Sequence, residues 1–290
     1  MMAVRSEFTQ AGDWAGLGIT PATALRVVGM RRSGNHAITN WLQRNAPEGQ
    51  ALFLNNCRPG TDPLRSRKGI EVSGHWHRDD VAAAAKAAGE GALLLISYED
   101  TVHLRYCAER PMSGPYGDAA FDGDILIFRS FLNWSASLLK KLQGNENYRS
   151  GDRMAVMARA LATYGDLLAE VAEADQTGHV PICYDQWVAD AAYREGVLAR
   201  LGLPLRDNGL GAVQPYGGGS SFQKAAATAE DLAPQARWRM MAHDPEYQAL
   251  LRLAALDEDL CARLTRAFPE DAARLARIAA LPGFDAEVLQ

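Results

Sequence analysis

The sequence predicts an α/β protein: a three-layer sandwich with a mainly parallel central sheet, a P-loop-like phosphate-binding loop and a helical C-terminal third. Three observations carry this expectation. Short β-branched and aliphatic runs at 25–30, 51–54, 70–72, 92–97, 125–128 and 180–184 read as buried strands. Most are separated by helical patterns, and that alternation favours parallel pairing through crossover connections. Finally, the run Val27-Val28-Gly29-Met30-Arg31-Arg32-Ser33-Gly34-Asn35-His36 empties a strand into a glycine-bounded loop, with the helical apolar pattern Ile38, Trp41, Leu42 directly after it.

The remaining elements follow in chain order. An alanine-rich helix is expected at 78–88, an amphipathic one at 134–142, a long one at 154–174 and another at 186–201. The stretch 98–124, with Pro111, Pro115, Tyr106 and Tyr116, reads as a loop over the strand ends, where substrate pockets are commonly shaped. A glycine-rich passage from Gly209 to Ser221 leads into helical patterns at 235–256, 257–268 and 271–281. No long Pro/Ser-rich linker intervenes, so residues 1–290 read as one domain, with a core at about 22–225 and a helical extension at 226–290.

Composition narrows the functional classes. The 290 residues are 48% hydrophobic and 22% charged, ordinary for a soluble domain. A formal charge of −5 argues against a broad nucleic-acid footprint, so any basic site is local. The N-terminus lacks the apolar core of a secretory signal, and nowhere do 18 apolar residues run together, so no transmembrane segment is expected. Cys57, Cys107, Cys183 and Cys261 are scattered without Cys-x-x-Cys spacing; reduced thiols and a cytoplasmic location are expected, and a structural zinc site is not.

The glycine-bounded loop is the first candidate site. Helix first turns carry unsatisfied N–H donors and partial positive charge, so the passage from Ser33 to Ala37 suits an anion. The spacing Gly29-x-x-x-x-Gly34 is that of a nucleotide P-loop, but Asn35 and His36 stand where such loops place Lys and Ser/Thr. The lysine would reach the β/γ-phosphates and the hydroxyl would hold Mg²⁺. Here the cations, Arg31 and Arg32, lie inside the loop, which suggests a phosphorylated or sulfated ligand held without metal. An ordinary βα turn with solvated arginines fits the same residues. A second cluster pairs Arg129, ending the strand 125–128, with Ser137 eight residues on. A strand-end arginine grips phosphate well, and a serine can add a hydroxyl.

Together the clusters resemble the sulfotransferase family that uses 3′-phosphoadenosine 5′-phosphosulfate. Arg32-Ser33-Gly34 is similar to the start of that family's 5′-phosphosulfate motif, and Arg129 with Ser137 matches its 3′-phosphate motif in identity and spacing. Cys183-Tyr184-Asp185-Gln186-Trp187 looks like the family's strand ending in Tyr-Glu-Asp-Leu. Gly217-Gly218-Gly219-Ser220-Ser221-Phe222 resembles its glycine/serine segment over the nucleotide. The resemblance implies metal-independent in-line transfer of a sulfuryl group to a hydroxyl or amine of a carbohydrate, lipid or small-molecule acceptor. Arg32 would neutralise charge on the leaving phosphate, with Arg31, Ser33, Gly34, Asn35, His36 and Ala37 around the 5′-phosphate. Arg129 and Ser137 would take the 3′-phosphate, and Tyr184, Gly218, Gly219, Ser220 and Ser221 would complete the cofactor site. Family members use a histidine or a glutamate as general base. His75 is the first candidate and Glu99 its rival, with His77, His36 and Asp100 also offered by the chain. Ala37 stands where the family's adenine-stacking aromatic often lies, and Trp41, a turn further on, reads as core.

Two other classes stay open at this level. A P-loop nucleoside or small-molecule kinase would need Mg²⁺ ligands that the sequence does not offer, since Asp124 precedes its strand instead of ending it. A non-catalytic nucleotide-binding protein on the same fold would account for the absent hydroxyl pair.

Overall fold

The structure is a computed structural model that describes residues 14–211 and 236–280. Its seven strands are β1 (Thr23–Gly29), β2 (Ala51–Asn55), β3 (Gly69–Val72), β4 (His75–His77), β5 (Leu93–Glu99), β6 (Gly123–Phe128) and β7 (Val180–Cys183). They form one sheet in the order β4-β3-β2-β5-β1-β6-β7. Pairing is parallel for β1 with β5 and β6, for β2 with β5 and for β6 with β7. The β2–β3 and β3–β4 pairs are antiparallel, so the expected strand at 70–72 runs against the others. Its partner β4 was not among the expected strands. The two are joined by Ser73 and Gly74 at φ 47° and 80°, the doubly left-handed geometry of a tight hairpin turn.

The helices are α1 (Asn35–Arg44), α2 (Pro63–Ser66), α3 (Val81–Ala88), α4 (Phe131–Gln143), α5 (Ser150–Ala172), α6 (Ala174–Thr177), α7 (Tyr184–Ala189), α8 (Ala191–Arg200), α9 (Arg237–Met240), α10 (Pro245–Ala255), α11 (Glu258–Ala267) and α12 (Pro269–Ala279). Where one helix was expected at 186–201 there are two. Asp190 takes an extended backbone and its carboxylate accepts from Ala192 N, starting α8 afresh. The expected helix at 235–256 divides in the same way: Asp244 caps Tyr247 N and Pro245 opens α10.

Alternating strand residues enter two separate cores, because successive side chains of a strand face opposite ways. Val28, Leu94, Ile96 and Leu126 pack with Trp134 of α4 and Tyr164 of α5. Val27, Leu95, Ile125 and Ile127 pack with Trp41 of α1 and Trp187 of α7. Trp41 is fully buried and meets Trp187 edge-on at 5.9 Å, so it is a core residue. The stretch 98–124 also corrects an expectation. Tyr116 is buried and stacks on Trp14 at 4.2 Å, so this aromatic anchors the loop to the core instead of lining a pocket. Among the described residues no helix is long and apolar enough to cross a membrane, and all four cysteines are free.

Candidate functional site

Strands β1 and β5 end side by side at Gly29 and Glu99, level with Ile127 of β6, and the turn from β1 to α1 leaves from that edge. Arg32 at φ 72° and Gly34 at φ 92° bend the backbone through two left-handed positions, and Ser33 N closes a turn onto Met30 O at 3.2 Å. Gly34 has no room for a side chain: a Cβ there would lie 2.0 Å from Tyr184 Cδ2. Among the described residues no side chain caps α1. Ser33 is fully buried, and its Oγ has no hydrogen-bond partner among the described residues.

The neighbouring βα junction has the opposite character. At the end of β6, Ser130 N donates to Asp185 Oδ2 at 2.7 Å, Leu132 N to Asp271 Oδ2 at 3.2 Å, and the Ser130 side chain caps Asn133 N. The protein's own carboxylates thus occupy the start of α4, whereas among the described residues no side chain caps the start of α1.

Three arginines converge beside this turn. Arg129, 2% exposed, donates from Nη1 to Arg32 O at 3.2 Å and to Ser137 Oγ at 3.4 Å. Arg237, from α9, donates from Nη1 to the same Ser137 Oγ at 3.2 Å. Burial lowers the proton affinity of all three, that of Arg237 to about 10, and the charge of Arg129 adds to the lowering at Arg32 and Arg237. Arg129 is held from behind: its guanidinium lies 4.9 Å above the Tyr184 ring, and its carbonyl accepts from Tyr164 Oη at 2.6 Å.

The expected residues fall into distinct positions. Asn35 does not stand in for a lysine; its Nδ2 donates to Met30 O at 3.2 Å and to Glu99 Oε1 at 3.1 Å, lacing the loop to β5. Glu99 also accepts from Asn56 Nδ2 at 2.6 Å, and burial raises its pKa against the pull of the Asn35 hydrogen bond. His36, half-buried, is held below the ordinary histidine value by burial and by Arg32, with Glu71 opposing. Ala37 lies half-buried in the first turn of α1.

Four assignments need correcting. Arg31 is engaged by Asp100: its N donates to Asp100 Oδ1 at 2.9 Å and its Nε pairs with Oδ2, which diverts this cation from the loop's interior. Ser137 directs its hydroxyl hydrogen to Asn133 O at 2.7 Å and accepts from both Arg129 and Arg237, so here it joins the two arginines. Tyr184 is 4% exposed, with its ring taken up by Gly34, Arg129 and Trp187, so it shapes the loop. His75 lies at the other end of the sheet. It pairs with Val72, which stands level with Leu52, Leu94 and, on β1, Ala24. Five residues separate Ala24 from Gly29, about 16 Å along the strands, and four strand spacings, about 19 Å, lie across them. Gly218, Gly219, Ser220 and Ser221 lie outside the described residues.

Two positions escaped the sequence reading. Arg237 sits far along the chain in Arg237-Trp238-Arg239, where only the basic run offered a signal, and Asn56 offered none. Among the described residues one group has the make-up of a metal site, His103, Asp124 and His179. It is engaged in an internal ion network: Arg26 bonds both Asp124 oxygens at 2.5 and 2.8 Å, and His103 bridges Asp124 at 3.1 Å and Glu170 at 3.2 Å. Comparisons of this chain with protein-family models, with curated proteins and with solved structures find no match.

Proposed function

We propose that the protein is a sulfotransferase that takes a sulfuryl group from 3′-phosphoadenosine 5′-phosphosulfate, using a P-loop-like turn at 30–34 as its phosphate cradle. The observation that carries this reading is the convergence of Arg32, Arg129 and Arg237 on a helix N-terminus with no side-chain cap, beside a buried Ser33 hydroxyl that has no partner, both among the described residues. Guanidiniums gathered at this density repel one another, and a phosphate dianion converts that repulsion into attraction while supplying acceptors for Ser33 and for the N–H groups of α1. Two phosphate groups on one ligand suit this arrangement. Arg32 and the turn would take the 5′-phosphosulfate, and Arg129 with Arg237 the 3′-phosphate.

In the transfer, attack of an acceptor oxygen on sulfur breaks the bond from sulfur to the phosphate oxygen, and the charge left on that oxygen grows beside Arg32. Glu99 is the group assigned here to receive the acceptor's proton. It stands at the end of β5, directly beside Gly29, and its raised pKa makes it a stronger base than an ordinary carboxylate. The lysine and hydroxyl that would serve Mg-ATP are replaced by Asn35 and His36, and Asn35 is committed to Met30 and Glu99, which weighs against a kinase.

Thermal unfolding tests the reading directly, because a ligand that binds only the folded state raises the midpoint. 3′,5′-ADP in the presence of a chelator should stabilise the protein more than Mg-ATP does. A preference for Mg-ATP overturns the assignment. Binding of 3′,5′-ADP with no sulfuryl transfer to any acceptor would instead identify a non-catalytic nucleotide-binding protein.

A further inference from the structure

An open groove of about 540 Å³ lies between the β3–β4 hairpin and the segment leading into it. Four cations line it, Arg65, Arg67, Lys68 and Arg78, against one carboxylate, Asp79. The chain as a whole carries a formal charge of −5, so this wall is a local reversal of sign. The indole of Trp76, 44% exposed, forms part of the same wall. Arg78 and Lys68 are exposed, and Arg65 has only a 3.6 Å pairing with Asp62.

The groove borders the site already described. Lys68 N donates to Asn55 O at 2.9 Å, and the next residue of that strand end, Asn56, holds Glu99 through its amide. The charge of Lys68 is also among those acting on the Glu99 carboxylate. Lys68 thus connects the lining of the groove to the group assigned as base.

From this placement, and resting on the sulfotransferase reading, we infer that the acceptor is an anionic glycan, bound by the groove so that one of its hydroxyls reaches Glu99. Carboxylates or sulfates on the sugar meet the guanidiniums and the ammonium, and the flat face of a pyranose packs on the exposed indole. A neutral alcohol would use none of the four cations. A nucleic acid would call for basic surface well beyond one groove, which the acidic chain does not provide.

The test uses the whole protein and four probes: a heparin-derived hexasaccharide, maltohexaose, a single-stranded DNA dodecamer and 3′,5′-ADP. The hexasaccharide should bind and accept a sulfuryl group, and maltohexaose should do neither. The exposed double variant Lys68→Ser/Arg78→Ser should weaken hexasaccharide binding at least tenfold, raise its KM in parallel, and leave 3′,5′-ADP affinity within twofold. Trp76→Ala should weaken the hexasaccharide several-fold with the same indifference to 3′,5′-ADP. Absence of hexasaccharide binding, or equal binding by the double variant, while 3′,5′-ADP still binds overturns this inference and leaves the sulfotransferase reading standing. DNA binding more tightly than the hexasaccharide overturns the glycan class. Failure of 3′,5′-ADP to bind overturns the parent reading, and the acceptor assignment with it.

Discussion

In the proposed transfer Arg32 and Glu99 would act on opposite sides, and their substitutions should be told apart by pH. Replacing Arg32 by Ala removes the cation beside the leaving phosphate and should lower kcat by about 10²–10³-fold. Glu99→Gln keeps the hydrogen bond from Asn35 but not the base, and should cost about 10²–10⁴-fold. Burial raises the Glu99 pKa, so wild-type activity should fall as pH drops through that raised value, when the carboxylate takes up its proton. Rate profiles against pH check this: the acidic limb should persist in the Arg32 variant and vanish in the Glu99 variant. Gly34→Ala tests the turn itself. It adds a side chain at φ 92° directly against Tyr184, and should destabilise the fold by about 3 kcal/mol in urea titrations.

The two βα junctions at the C-terminal edge of the sheet differ in what fills them, and that difference is measurable element by element. The first turn of α4 is satisfied by Asp185, Asp271 and Ser130, while among the described residues that of α1 has no side-chain cap. Adding 3′,5′-ADP should slow amide hydrogen exchange at Asn35–Ala37 by about tenfold or more and leave residues 131–133 unchanged; equal protection of both would refute the distinction. The strands behind these junctions were legible because each is a mainly apolar run buried on both faces, interrupted in β1 only by the ion-paired Arg26. The hairpin strand β4 was not, since His75-Trp76-His77 is short and mostly exposed, although Ser73-Gly74 marks its turn. Breaks inside helices were equally visible in hindsight at Asp190 and at Asp244-Pro245, where an acidic cap competes with continuation.

Across the whole molecule, Asp271 ties α12 to α4, and it does so at a pH-dependent cost. Burial raises its pKa from 3.8 to about 6, so between those values the folded state holds a proton that the unfolded chain releases. Stability contributed at this site is therefore highest below pH 4, falls as pH rises through the window, and is lower by on the order of 3 kcal/mol above it. Asp271→Asn keeps an acceptor for Leu132 N without the charge. Denaturation curves at pH 4 and pH 7 should show the wild type losing more stability than the variant between the two, and equal changes would refute the assignment. The same long reach explains what could be read from the chain and what could not. Apolar runs and their spacing determined the α/β class, the mainly parallel sheet and the loop from Arg31 to Gly34, because burial and local backbone geometry depend on near neighbours in sequence. Only the tertiary structure decided which cations face the loop: it paired Arg31 with Asp100, brought Arg237 from 100 residues beyond Ser137 to share its hydroxyl, and carried His75 to the far end of the sheet. Register and ion pairing fix those relations through contacts between distant segments, and no local pattern records them.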